Sequence, residues 1–193
     1  MPAVPAYVNV ALLMGPVLAG LGISVFTAHM FIFYFAVASA ITPPVALAAF
    51  AAASITKEDP MATGFMAVRI GIMMFVIPFV FAMYPEILLI EQAFLDPNAS
   101  GGERTYLRGY DGSVDVAALA MLLVRLLLAL VLLASALARF DRRALAGWEW
   151  PARLILAALV MAGSPAVYGP AFAAGVALLL WHRFNAAGRA QAA

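Results

Sequence analysis

The chain has 193 residues, 66% of them hydrophobic and 11% charged, with a formal net charge of +1 and a mean hydropathy of +1.01. That balance lies well outside the range of soluble globular domains and makes lipid the solvent for most of the chain. The near-zero charge excludes a nucleic-acid footprint, and the absence of cysteine excludes a disulfide framework and a thiolate metal site while leaving the redox compartment open.

From Met1 to Thr56 there is no Asp, Glu, Lys or Arg. A cleavable signal peptide is not expected, because Met1 to Tyr7 lacks a positive n-region and the apolar stretch runs on too far. Tyr7 to about Leu21 is apolar but short and carries Gly15-Pro16 inside it. It reads as the returning arm of a re-entrant hairpin, or else as an ordinary first transmembrane helix with a proline kink. Gly20 to Ser24 makes a turn, and Thr27 is the expected N-cap of the next helix. His29 has two readings, a proton relay or the cap of a helix start at interface depth, and the second is preferred.

The organising stretch is Ser39-Ala40-Ile41-Thr42-Pro43-Pro44. Proline disfavours helix in the residue before it, so Thr42-Pro43-Pro44 should stop one helix, and Pro44 can sit in the first turn of the next. Ala28 to Ser39 and Val45 to Ile55 then form two arms of about 11 or 12 residues, each about 16 to 18 Å long. Together they match a bilayer core of about 30 Å, which puts the break near the midplane. Non-helical backbone is tolerated there only where it lines a cavity or is buried in protein. The alternative is a Pro-Pro kink in a packing helix.

Thr56 to Pro60 is a polar break, and Gly64 to Ile90 is an apolar run long enough to span, expected to kink at Pro78. Arg69 near its start either meets a substrate carboxylate or snorkels to the interface, the second being preferred. Asp96 to Asp115 reads as a solvent loop, with turns at Pro97, Gly101-Gly102 and Asp111-Gly112. Val116 to Ala138 is a span interrupted by Arg125, which should face protein or water, since a charge at mid-membrane costs about 2.5 to 3.5 kcal/mol. Arg139, Arg142, Arg143 and Arg153 form a basic cluster, with Trp148 and Trp150 as interface anchors. Leu154 to Trp181 is apolar but broken at Gly163-Ser164-Pro165 and Gly169-Pro170.

Basic residues mark the cytoplasmic side, so the Arg139 to Arg153 cluster lies inside and the acidic Asp96 to Asp115 loop outside. Both ends of the last segment then look cytoplasmic, favouring two half-depth helices folded back at Gly163 to Pro170 over a single kinked helix. Within the midplane break the carbonyl end near Ser39 attracts a cation and the amide end after Pro44 an anion. Ser39 and Thr42 add side-chain oxygens suited to a hard cation such as sodium. Discontinuous helices hold coupling ions and anionic solutes in this way in secondary transporters.

His29 to Phe35, then Ile41-Thr42-Pro43-Pro44-Val45-Ala46-Leu47-Ala48-Ala49-Phe50, then Asp59-Pro60-Met61-Ala62-Thr63-Gly64 resemble the C-terminal end of the large permease of tripartite ATP-independent periplasmic (TRAP) transporters, in its fused form. Met1 to Tyr7 is similar to the tip and second arm of that family's outward hairpin. The resemblance covers Met1 to about Ile90. It implies an all-α membrane protein with a re-entrant hairpin arm, a discontinuous helix and further transmembrane helices, a fragment of an inverted-repeat, elevator-type carrier. It implies sodium-coupled uptake of carboxylates delivered by a periplasmic solute-binding protein across the bacterial inner membrane, with sodium as coupling ion and no cofactor. Thr42, Pro43 and Pro44 would line the ion and substrate region, flanked by Ser39 and by the tip residues Met1, Pro2 and Ala3. Ala40 departs from the family, standing where many relatives have a polar or acidic side chain. The family's scaffold and first repeat have no counterpart upstream of Met1, so the chain is expected to work with a missing N-terminal permease portion or a small membrane subunit.

The expected organisation is residues 1–95 as the end of the transport region, 96–115 as a periplasmic loop and 116–193 as an extension with one span and one broken segment. The competing class is a non-transporting accessory subunit that packs against a permease. Catalysis is not expected, because no Ser/His, His/Glu or paired-carboxylate constellation sits at membrane depth.

Overall fold

The structure, a computed structural model, describes residues 2–97, 106–107, 113–141 and 143–190, the side chains of 143 and 183–190 excepted. It contains two compact units, Met1–Asp115 and Val116–Ala193. The first holds α1 (Ala3–Gly20), α2 (Val25–Ala38), α3 (Leu47–Thr56), α4 (Pro60–Ile70) and α5 (Met73–Met83), followed by two 3-10 turns, Pro85–Leu88 and Glu91–Phe94. The second holds α6 (Val116–Ala138), the two-residue strands β1 (Phe140–Asp141) and β2 (Arg143–Ala144), α7 (Glu149–Val160) and α8 (Pro165–Ala190). By length and composition α1, α6 and Pro165–His182 can each cross a bilayer, and α4 with α5, bent by 40°, make a fourth crossing if the pair is one broken span. The chain is an all-α membrane protein.

In the first unit α1 is continuous through Pro16 and lies on the first half of α2, where Leu18 packs with Ala28 and Ile32. The tight turn between them passes through Gly22 at φ +82°, a conformation that favours glycine. The N-cap of α2 is Ser24, not Thr27: the Ser24 hydroxyl accepts the Thr27 N–H at 3.2 Å and donates to Thr27 Oγ1 at 2.9 Å. Both residues are buried. Ser24→Ala should therefore cost about 1 kcal/mol of stability, read as a lower denaturation midpoint of the chain in detergent, with Ser24→Asn retaining most of it. An unshifted midpoint for Ser24→Ala would contradict this.

Asp59 caps α4 by accepting the Ala62 N–H at 2.7 Å, with Pro60 at the first helical position. In the run from Gly64 to Ile90, Pro78 sits inside a continuous α5. The helix breaks at Gly71-Ile72, between α4 and α5. As a result α2 with α3 and α4 with α5 are two interrupted helices paired side by side, α5 on α2 and α4 on α3. Aromatic edges knit the first pair: Phe79 lies 5.3 Å from Phe31 and 5.9 Å from Phe35, and Phe81 lies 5.5 Å from Tyr34. Small buried residues, Ala49, Ala53 and Gly64, let the second pair approach closely.

The second unit is a three-helix bundle around Leu128, Leu132, Ala157, Val160 and Ala171. Gly175 of α8 sits against Leu132, whose Cδ1 is 3.1 Å from where a Cβ would be. The fold-back between α7 and α8 falls at 161–164 and α8 runs unbroken through Gly169-Pro170, so the second expected break is absent. Arg125 is buried and donates to the Val160 carbonyl at 3.0 Å and the Ala162 carbonyl at 2.7 Å. Its guanidinium lies 3.8 Å from the centroid of the Tyr168 ring. It thus caps the negative end of α7. Arg153 does not belong to an exposed basic cluster: it is fully buried and ion-paired with Asp141 at 3.1 Å.

Candidate functional site

Ser39, Thr42, Pro43 and Pro44 all lie in the linker between α2 and α3. Pro44 does not enter the first turn of α3. That helix starts at Leu47, with the fully buried Ala46 as its N-cap residue, while Pro44 and Val45 are exposed. The Pro43-Pro44 peptide is cis.

The linker is a folded turn rather than an open row of peptide groups. At the end of α2, Ala40 N–H donates to Val37 O and Ile41 N–H to Ala38 O, both at 3.1 Å, and Thr42 N–H reaches Ser39 O at 3.4 Å. Across the gap, Ala48 N–H donates to the Ala40 carbonyl at 3.0 Å, tying the first turn of α3 to the end of α2. The carbonyl of Ala40, the residue that departs from the family pattern, is thereby engaged by this chain, with its second lone pair left over.

Both hydroxyls turn back on α2. Ser39 Oγ donates to Ala36 O at 2.6 Å and Thr42 Oγ1 to Ala38 O at 2.7 Å. A hydroxyl whose proton is committed to a backbone carbonyl offers only lone pairs to anything else. The pair is therefore polarised as oxygen acceptors, the donor set a hard cation selects. Ser39, Ile41, Thr42 and Pro43 are partly buried.

Two residues that the sequence reading passed over hold this turn in place. A Cβ on Gly64 would stand 2.6 Å from Pro43 Cγ, and one on Gly71 would stand 2.8 Å from Ile41 Cδ1. The interruption in the second helix pair therefore lies against the interruption in the first. The only signal in the sequence was a pair of glycines seven apart in an apolar run, compatible with small-residue packing.

The hairpin-tip residues are less closely tied to this place. Pro2 is the N-cap residue of α1 and Ala3 its first helical residue, whereas Met1 lies outside the described residues. The contacts anchoring α1 run through Tyr7, Ala11 and Leu18 to the first half of α2. Tyr7 Oη bonds His29 Nδ1 at 2.8 Å, so His29 is a helix-pairing residue rather than a cap. Two clefts open at the N-terminal end of α2, about 20 Å from the break at 1.5 Å per residue. One of about 420 Å³ includes Ser24, Thr27 and Met83, and one of about 570 Å³ includes Phe26, His29 and Gln92.

The break between α4 and α5 thus faces the break between α2 and α3, with the Ser39 and Thr42 hydroxyl oxygens at the gap. Residues 1–94 match the family model described as "Tripartite ATP-independent periplasmic transporter, DctM component". This stretch is similar to the DctM family. The match ends at Phe94, the last residue of the second 3-10 turn, and both helix breaks of the DctM segment lie within it. The family is one of transporter components, which agrees with a multi-pass membrane protein and with the permease resemblance carried by Ile41 to Phe50. Comparisons with curated proteins and with solved structures give no match.

Proposed function

We propose that this chain is the membrane permease component of a sodium-coupled secondary transporter that takes up organic acids. In this reading a soluble periplasmic binding protein delivers the carboxylate to the outer face of a bacterial inner membrane, and a further permease portion or small membrane subunit completes the pathway. The observation that carries the proposal is the opposition of the two helix breaks, with Gly71 at Ile41. Unwound backbone at bilayer depth is otherwise costly, so two coincident interruptions fit a solute site better than a packing kink.

Ser39 and Thr42 would present oxygen lone pairs to sodium. The amide end of α3, helped by its dipole, would favour the substrate carboxylate. Pro43 and Pro44 would shape the turn between them, and Pro2 and Ala3 would flank it only if the start of α1 closes over the break.

The test is Thr42→Val in the assembled transporter reconstituted in liposomes. Loss of one oxygen ligand should raise the sodium concentration for half-maximal uptake about tenfold, equivalent to about 1.4 kcal/mol. Thr42→Ser should leave it near the parental value. Unchanged sodium dependence in Thr42→Val would remove Thr42 from the ion site.

A further inference from the structure

One end of the C-terminal unit brings together the close of α6, the β1 and β2 strand pair, the start of α7 and His182 of α8. Between Arg139 and Arg153 the sequence carries four arginines against two carboxylates. Both carboxylates are engaged within the unit: Asp141 Oδ2 accepts from Arg153 Nη1 at 3.1 Å, and Glu149 is fully buried beside His182. The cations are divided differently. Arg153 is fully buried, whereas Arg139 is exposed. Among the described residues the Arg139 guanidinium meets no carboxylate and no hydrogen-bond acceptor; it lies over the Trp150 ring, 5.1 Å from the centroid.

Arg139 is also held in position. Its backbone has φ +54°, a left-handed conformation uncommon for a residue with a side chain. The Arg139 N–H donates to Ala136 O at 3.2 Å, and the Arg139 carbonyl accepts the Leu145 N–H at 3.0 Å. These bonds fix the residue between the last turn of α6 and the chain that follows β2. A guanidinium on a fixed backbone, laid against an indole face, loses little freedom when it takes up an anion.

The surroundings suit a lipid headgroup better than a free anion. Phe140, Trp148 and Trp181 are 57%, 56% and 45% exposed, and such aromatic side chains favour the headgroup level of a bilayer. The helix α6 ends at Ala138, directly before Arg139. Its residues Val124, Leu127 and Val131, at spacings of three and four, present an exposed apolar face. Acyl chains lying on that face bring a phosphate to the level of Arg139, whose fork can bind it through two parallel N–H groups. The ammonium of a zwitterionic headgroup has less to meet here. Asp141 and Glu149 are engaged, and Arg139 already covers the Trp150 face.

We propose that Arg139, set on Trp150, binds the phosphate of an anionic phospholipid whose acyl chains lie along α6. The three tryptophans of the chain, Trp148, Trp150 and Trp181, all stand at this end of the unit and report on it. The full chain is placed in phosphatidylcholine nanodiscs containing a small fraction of brominated lipid, and quenching of tryptophan emission is read. Brominated phosphatidylglycerol should reach half-maximal quenching at a mole fraction about fivefold lower than brominated phosphatidylcholine does. Arg139→Asn removes the cation and suits the left-handed backbone, so it should bring the two lipids level. Arg139→Lys keeps the charge without the planar fork and should retain a preference of only about twofold. Inorganic phosphate in excess should not displace the lipid, because it buries nothing on α6. Equal quenching by the two lipids in the parent, an undiminished preference in Arg139→Asn, or displacement by inorganic phosphate would overturn the proposal. If Arg139→Asn does not fold, a preference in Arg139→Lys equal to the parent's overturns it, since only a diffuse positive field treats the two cations alike.

Discussion

Gly64→Ala should destabilise the N-terminal unit by about 1 to 3 kcal/mol, and Gly64→Val by more, because the added carbon falls 2.6 Å from Pro43 Cγ. The neighbour is a proline ring, which has no rotamer to move into, so the strain passes into the turn at Ser39 to Ala46 or into the packing of α4 on α3. Gly71→Ala is the internal control. Its added carbon meets the end of a flexible side chain, Ile41 Cδ1 at 2.8 Å, with the Ala67 carbonyl oxygen at 3.1 Å, so most of the strain can be relieved by moving one side chain, whereas at Gly64 the gain of about 1 kcal/mol in helix propensity offsets only part of the clash. The two should therefore separate clearly in denaturant unfolding of the chain in detergent. If the two glycine variants are equally stable, the close approach at Pro43 is not what holds the break. In the assembled transporter, Gly64→Ala should also reduce uptake more than Gly71→Ala does.

Arg125→Met should cost about 2 to 4 kcal/mol in the C-terminal unit. Two charge-assisted hydrogen bonds, to Val160 O at 3.0 Å and Ala162 O at 2.7 Å, are lost together, and the carbonyls at the end of α7 lose this donor in an apolar setting. Loss of the guanidinium from the Tyr168 ring, 3.8 Å from its centroid, adds to the cost. Removing an arginine from a membrane helix eases its insertion by about 2.5 to 3.5 kcal/mol. That gain belongs to the separated helix as much as to the bundle, so it does not offset the lost capping. Arg125→Lys keeps a charge but has no planar fork, and should recover only part of the loss. Denaturation midpoints for the three chains in one detergent check this, and a methionine variant as stable as the parent would refute it.

The first break was legible in the sequence because its cause is local. Pro43 and Pro44 act on their own residues and the one before, and α2 stops at Ala38 within a residue of the expected end. The start of α3 was misplaced by two residues because it depends on a bond across the gap, Ala48 N–H to Ala40 O, which propensity cannot report. The second break was not foreseen, for a related reason. Proline is a strong breaker in isolation, yet Pro16, Pro78 and Pro170 all remain inside continuous helices, while the chain bends at Gly71-Ile72, where the lack of a side chain on Gly71 leaves room for Ile41.

Arginine burial was equally hard to foresee. Arg153 follows Arg139, Arg142 and Arg143 in a pattern that reads as an interface cluster. Its partners are Ser135 and Asp141, on elements that meet only once the bundle has formed. Arg125 was legible in kind, as a charge that must turn away from lipid. Which carbonyls it caps follows from where α7 ends, at Val160.

A rod cut at one point is a weakness, but two neighbouring rods cut at the same height make a joint. In the DctM segment the portion formed by α3 and α4 could swivel against the portion formed by α2 and α5 without unwinding a single turn of any of the four. Only Ser39 to Ala46 and the two residues Gly71-Ile72 would need new backbone angles. A solute gripped at that level would then sit on the pivot itself, where the smallest displacement changes which side it faces.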